Sequence, residues 1–385
     1  MFPKFNLRRV FLKLLKQPVY ALKVLSRRLP AYLAYYSGTG KSSNPESITI
    51  FLTHRCNLHC YMCGQWGNHG SSAKINKECL QEELTLEVLK KFIKDLAVFK
   101  PNITLFGGEP LLYKDGCLKI VRLIKENNMH CLMITNGVLL LEQAEEIVSS
   151  GLDELNVSLD GPAFVHDDIR GLPGLFDKVA CGIERVNYFK KLRKVKKPLV
   201  NLQCTINQKN YEFIDQLLPL ARELEVNSVT FHNLIFINEK MLSGQKEYDR
   251  LLQASSSGWD GFVFSPGMDV SVLRDKLKQV FENGSGLKID IYPDFKLTDL
   301  GQYYADPEKI PGGYLKRCLS PWITAYLFCD GQIRPCLNSS FSYGNIKEKP
   351  FSQIWNSAQA IKFRKLLKEK RIFPACPRCT ELYRY

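Results

Sequence analysis

The run Ile48-Thr49-Ile50-Phe51-Leu52-Thr53-His54-Arg55-Cys56-Asn57-Leu58-His59-Cys60-Tyr61-Met62-Cys63 sets three cysteines at Cys-x3-Cys-x2-Cys spacing directly behind an apolar, β-branched stretch. Ile48–Thr53 reads as a strand, so the three thiols fall on the loop at its C-terminal end. In parallel sheets that is the end where chemistry collects. Three thiolates on a short loop suit three irons of a cubane cluster and leave the fourth open to an outside ligand. A structural zinc ion would want a fourth protein ligand and a closed site, which His54 or His59 could complete. Spacing alone leaves both readings open.

Outward from this loop the chain alternates between short β-rich runs and helical stretches. Strands are expected at Ile103–Phe106, Met129–Thr135, Glu154–Leu159, Leu199–Ile206 and Ser228–His232. Helices are expected at Leu84–Lys100, Cys117–Asn127, Leu141–Ser150, Leu175–Lys190 and Tyr211–Leu224. Six strands alternating with five helices argue for an α/β chain of parallel βα units, two short of the eight that close a barrel. The expected fold is therefore a partial (β/α)6 TIM-like barrel over residues 45–232. Residues 233–316 read as an irregular connecting region with a helix at Val270–Glu282 and a strand at Leu287–Tyr292. From 317 to 385 a small separate unit is expected, with a hairpin about Asp330-Gly331 and a helix from Phe351 to Lys368.

The cysteine loop after strand one, with the aromatic Tyr61 two places before its last cysteine, resembles the signature of the radical S-adenosylmethionine superfamily. The resemblance implies a 4Fe–4S cluster on Cys56, Cys60 and Cys63 whose open iron is chelated by S-adenosylmethionine. Reductive cleavage then yields a 5′-deoxyadenosyl radical that abstracts a hydrogen atom, the cofactor carrying the chemistry and the protein orienting it. Gly107-Gly108-Glu109-Pro110, ending strand two, resembles the family's glycine-rich motif, where small residues allow close backbone approach to the ligand's amino group and Glu109 adds a negative charge to complement it. Asn136, Ser158 and Arg170 fall at or after later strand ends. On the same resemblance they are expected to face the cofactor, Arg170 with a fork suited to the methionyl carboxylate. No substrate-contacting catalytic residue is assignable.

A second thiol group comprises Cys318, Cys336 and the Cys376-x2-Cys379 pair. Four thiolates make a closed site that suits zinc or a fully ligated 4Fe–4S cluster. Cys318-Leu319-Ser320-Pro321-Trp322, Gly344-Asn345-Ile346 and Ile354-Trp355-Asn356 resemble the SPASM/twitch extensions of the same superfamily, implying a single auxiliary cluster. Cys329 lies outside that pattern and reads as a packed thiol, as do Cys79, Cys117, Cys131, Cys181 and Cys204.

Composition bounds the rest. The chain has 385 residues, 45% hydrophobic and 24% charged, with thirteen cysteines, an odd number in tight groups that suits reduced cytoplasmic thiols rather than a secreted disulfide scaffold. Of the net charge of +14, nine positive residues stand in the first 41 positions, which hold no Asp or Glu. That concentration argues against a protein built throughout to hold nucleic acid. Residues 1–44 read as a basic amphipathic segment: Phe5 to Lys16 and Val19 to Tyr36 each carry apolar residues at helical spacing, and residues 1–36 fit peripheral contact with the inner membrane face. The resulting expectation is an iron–sulfur enzyme served by a flavodoxin or ferredoxin and acting on a small-molecule, sugar or lipid-linked substrate. A peptide maturase is the alternative within the superfamily. A zinc-stapled nucleic-acid- or membrane-binding protein without catalysis is the alternative outside it.

Overall fold

The computed structural model describes residues 18–67 and 70–385; the helix expected over Phe5–Lys16 lies outside them. The described residues open with α1 (Pro18–Ser37), and the main elements then run β1 (Ser47–Phe51), α2 (Leu86–Leu96), β2 (Asn102–Phe106), α3 (Cys117–Glu126) and β3 (Cys131–Thr135). It continues through α4 (Leu140–Ser149), β4 (Glu154–Ser158), α5 (Ala163–Arg170), α6 (Leu175–Leu192) and β5 (Leu199–Thr205). Next come α7 (Leu217–Glu223), β6 (Ser228–His232), α8 (Glu239–Leu252), α9 (Val270–Asn283) and β7 (Lys288–Tyr292). The C-terminal part supplies β8 (Thr324–Leu327), β9 (Gln332–Arg334), β10 (Gly344–Asn345) and α10 (Ala358–Lys370).

One ten-stranded sheet joins these elements in the order β10-β9-β8-β1-β2-β3-β4-β5-β6-β7 and does not close. β1 to β7 pair in parallel in chain order, and β8 adds in parallel to β1 before the antiparallel β9 and β10. The sheet is a partial barrel, as the alternation predicts, but with one more strand: β7, assigned from sequence to the connecting region, pairs with β6 along its length. Every residue of β1 is buried, since it has a strand on either side and elements over both faces. α2 shows why the helices lie where they do. Thr85 caps it by accepting from the Val88 amide, and Leu89, Phe92, Ile93 and Leu96 recur at helical spacing to fill the core beneath.

Of the numbered helices, α5 and α8 escape the sequence reading. α5 is short, bounded by Pro162 and the left-handed Gly171; Val165 and Ile169 keep helical spacing, but eight residues are too few for the repeat to stand out. α8 lies in the stretch read as irregular, although Asn238 caps it with a 2.8 Å bond from the Met241 amide.

α1 is fixed to the body along one face. Ala31, Tyr32 and Tyr35 are buried, Arg28 makes a bidentate pair with Glu46 at 2.6 and 2.9 Å, and Tyr35 meets Trp322 edge-on. The segment after it is fastened by the fully buried Arg364 of α10. Its guanidinium donates to the carbonyls of Pro321 (2.7 Å) and Gly40 (3.2 Å) while lying over the Trp355 ring.

Candidate active site

The loop after β1 is held from three sides before any ligand is considered. Its Tyr61 amide donates to the Ile169 carbonyl at the end of α5 (2.9 Å), and the Trp66 indole donates to the His54 carbonyl (2.8 Å). Arg55 bridges Glu83 and the Leu112 carbonyl. On this frame Cys60 is buried and Cys56 and Cys63 half-buried, and all three line a cavity of about 320 Å³. Gly107, Gly108, Asn136, Ser158, Arg170 and Thr205 line it too, so the ends of five successive strands and α5 converge on the thiols.

Gly107 and Gly108 serve a purpose beyond the ligand approach expected from sequence. A Cβ on Gly108 would lie 2.2 Å from the Arg55 carbonyl oxygen, and one on Gly107 would lie 2.6 Å from that of Thr53. The two glycines let the end of β2 lie directly on the cysteine loop, where the Gly108 amide donates to Thr53 and the Glu109 amide to Arg55, both at 2.8 Å. Gly107 also adopts a φ of +150°, which side-chain-bearing residues avoid.

Asn136 donates to the Asn57 side chain (2.8 Å) and reaches toward the Cys56 sulfur (3.7 Å). Arg170 points a nitrogen toward the Cys60 sulfur (3.7 Å), while its Nε donates to Asp160 at 2.6 Å. Burial alone would lower the Arg170 pKa, but the carboxylate of Asp160 and the Cys60 sulfur hold it well above its ordinary value. Asp160 is a residue that the sequence reading does not single out. Fully buried, it also accepts from the Thr205 amide (3.0 Å), and its own amide donates to His166 Nδ1 (3.2 Å). Its position two residues past Ser158, on a strand end opposite a later arginine, was the available signal. His232, also lining the cavity, has its pKa lowered to about 4 by burial and shares a 2.7 Å hydrogen bond with Gln203.

Three of the expected cofactor residues stand off the cavity wall. Tyr61 turns outward, with Lys209 over its ring. Glu109 is fully buried and accepts from the Leu111 amide, the Thr135 hydroxyl and the Asn136 amide, tying the end of β2 to that of β3. Burial pushes its carboxyl up to about 7 against the pull of those three donors. Pro110 begins the short turn behind it. His54 and His59 also stay off this cavity: His54 tilts against Phe51, and the exposed His59 meets Trp66 edge-on.

Cys318, Cys336, Cys376 and Cys379 line a second cavity of about 480 Å³, with mainly apolar walls that include Phe51, Phe106, Trp259, Phe262 and Phe328. Desolvation pushes all four thiols toward the neutral form, Cys376 to about 11, and for Cys318, Cys336 and Cys379 their neighbours' charge adds to it. At the first group, Cys56 is raised to about 12 and Cys60 is raised for the same leading reason. Bare thiolates would be costly in either place, whereas iron bound in place of the proton removes that cost. The donor sets therefore fit clusters: three thiols on the wall of a polar-edged cavity, and four on the wall of the second. Among the described residues, no three His, Cys, Asp or Glu side chains converge tightly enough to hold a single metal ion. Cys329 stands apart, packed with Phe51, Tyr326 and Phe328. The two cavities adjoin: Cys63, Gln65, Phe106, Ile235, Phe262 and Thr380 line both.

The sequence profile of the Radical SAM superfamily matches residues 50–197, and that of SPASM, an iron-sulfur cluster-binding domain, matches 318–380. An AdoMet-dependent heme synthase of Methanosarcina barkeri is 29% identical over 344 residues, spanning 87% of this chain and 88% of that protein. An Fe-coproporphyrin III synthase of the same organism is 26% identical over 371 residues, 92% and 84% of the respective chains. Among solved structures, Streptococcus suis SuiB bound to S-adenosylmethionine superposes with a TM-score of 0.59 at 14% identity, covering 98% of this chain and 83% of SuiB.

Proposed function

This chain belongs to the radical S-adenosylmethionine superfamily and carries a SPASM iron–sulfur domain, and on that premise we propose that it abstracts a hydrogen atom from a small-molecule or lipid-linked substrate held in the larger cavity. Supporting this reading above all is the convergence of Cys56, Cys60, Cys63, Gly108, Ser158 and Arg170 on one cavity that shares a wall with a second, mostly apolar one. The zinc-stapled alternative falls with the two iron–sulfur family matches.

A 4Fe–4S cluster held by Cys56, Cys60 and Cys63 would supply the electron that splits the sulfonium of bound S-adenosylmethionine, releasing methionine and providing the radical chemistry that removes a substrate hydrogen. This chain's own residues bind and orient. Arg170, held by Asp160, offers its outer guanidinium nitrogens to the methionyl carboxylate. Ser158 and Asn136 supply polar edges around it, and Glu109 acts behind the wall by fixing the strand ends that carry Gly108 and Asn136. Cys318, Cys336, Cys376 and Cys379 would hold an auxiliary cluster, which with all four thiols engaged would serve as an electron relay. A flavodoxin- or ferredoxin-type protein is the proposed donor.

The apolar walls bear on the substrate. A bare sugar would leave Phe106, Phe262 and Phe328 facing its hydroxyls, whereas an apolar body uses them. An iron porphyrin is the second reading, favoured by the alignment of a heme synthase and an Fe-coproporphyrin III synthase along most of both chains. Likeness to SuiB, solved with its precursor peptide SuiA, is a likeness of fold and adds nothing for a peptide. The test is anaerobic incubation with S-adenosylmethionine and dithionite, following 5′-deoxyadenosine, then addition of Fe-coproporphyrin III or a polyprenyl-linked sugar. Stimulation by either identifies the class. Absence of 5′-deoxyadenosine from protein with both clusters assembled would refute the reaction itself.

A further inference from the structure

The outward face of α1 carries Leu22, Leu25, Leu29, Leu33 and Tyr36, each between 38% and 62% exposed. At 3.6 residues per turn these five fall within an arc of about 80° and extend for about 21 Å along the helix. Ala31, Tyr32, Tyr35 and Arg28 make the contacts that dock the helix from its other side, while Tyr36 closes the stripe where it is tied to Arg317 and Lys368. Scattered exposed leucines are ordinary, but an unbroken stripe on one helix is not.

Charge at one end of the stripe says what would cover it. At the C-terminal end of the stripe, Lys368 donates to the Tyr36 carbonyl (3.1 Å) and Arg317 to its hydroxyl. Lys365 flanks Gly40, with its chain 3.1 Å from where a Cβ would stand, and Lys41 is exposed beside it. The sequence before the stripe adds Lys4, Arg8, Arg9, Lys13 and Lys16 and no acidic residue. An apolar ridge rimmed by cations matches an anionic bilayer surface, where apolar side chains enter the acyl boundary and the rim meets phosphates. A second copy of the chain would bring the same positive rim against itself. Among the described residues no helix is long and apolar enough to cross a membrane, so the contact is one of lying on the surface.

We propose that α1 docks the enzyme on an anionic membrane through Leu22, Leu25, Leu29, Leu33 and Tyr36, with Lys41, Lys365 and Lys368 as its cationic rim. The test is co-sedimentation of the full-length chain with vesicles of phosphatidylcholine alone or mixed with phosphatidylglycerol, beside sedimentation velocity without lipid. The expected result is binding to the mixed vesicles that weakens with salt and is lost in Leu25→Glu/Leu29→Glu/Leu33→Glu. Lys41→Glu/Lys365→Glu should weaken it at least about tenfold, with both variants retaining wild-type circular dichroism and iron content. Equal binding to neutral vesicles, or binding unaffected by the leucine variant, would overturn the proposal. So would a lipid-indifferent chain that is a dimer, broken by the leucine substitutions, which would make the stripe an interface between copies. A lipid-indifferent monomer would overturn it equally.

Discussion

Replacing Gly108 by alanine adds one methyl group where the backbone has no room to yield. Its Cβ would lie 2.2 Å from the Arg55 carbonyl oxygen and 2.6 Å from that of His54, against 3.4 Å for ordinary contact. Relief requires the end of β2 to move off the cysteine loop by about 1 Å, since neither oxygen belongs to a flexible side chain. That movement stretches the 2.8 Å bonds from the Gly108 amide to Thr53 and from the Glu109 amide to Arg55 past useful length. Overpacking and two weakened buried bonds together should cost about 3–5 kcal/mol. A displacement of this size beside the thiols should lower S-adenosylmethionine cleavage about 100-fold. Gly174→Ala is the control: its φ is +74° and nothing lies within 4 Å, so it carries only backbone strain of about 1–2 kcal/mol. Iron content, 5′-deoxyadenosine formation and denaturant unfolding, measured anaerobically for both variants, make the comparison. Retention of about four irons in Gly108→Ala, those of the C-terminal group, would show a folded chain with local damage. Wild-type iron and wild-type cleavage in Gly108→Ala would refute the reasoning.

Removing the carboxylate of Asp160 by Asp160→Ala should destabilise the fold by about 3–5 kcal/mol, because Arg170 is left charged, buried and without its 2.6 Å partner; urea unfolding reads this, and a cost below 1 kcal/mol would contradict it. His232 is neutral in the fold with its pKa lowered to about 4, so between pH 6.5 and 4 only the unfolded chain takes up its proton. Stability should therefore fall with acidification across that window by up to about 3 kcal/mol, and His232→Gln should flatten this part of the profile. Arg378, buried between Cys376 and Cys379, donates to the carbonyls of Lys309, Tyr303, Asp306 and Pro377 and stacks on the Tyr303 ring. Arg378→Met should cost the C-terminal irons while sparing those of the first loop, as separate iron counts in the two cysteine-depleted backgrounds would report.

The open α/β sheet was legible because each strand is a short apolar run ended by a turn and each major helix has an apolar face, and both cysteine groups stand out as groups, while the family resemblance, not spacing, marks them as cluster sites. What sequence could not supply was direction. Glu109 reads as a charge beside a ligand, yet three donors from β3 and its own turn draw it behind the wall. Arg170 reads as a free fork, yet half of it is occupied by Asp160, a pairing made across a loop and a helix too short to predict. Gly107 and Gly108 stand out as glycines, but only packing shows that their neighbour is the loop carrying the cysteines. β7 was visible as a strand and misallocated, because its partner β6 is separated from it by α8, α9 and their connections. The face of α1 was readable as amphipathic, while which side docks on the body depended on residues as distant as Trp322 and Glu46.

Two clusters, one at each cysteine group, are the claim on which everything else rests. Iron, sulfide and zinc per chain after anaerobic reconstitution test it most directly, in wild type and in a Cys56→Ala/Cys60→Ala/Cys63→Ala variant. About eight irons in wild type falling to about four in the variant is the predicted result. Zinc with little iron in the wild-type chain, or iron that does not fall when the three loop thiols are removed, would contradict it.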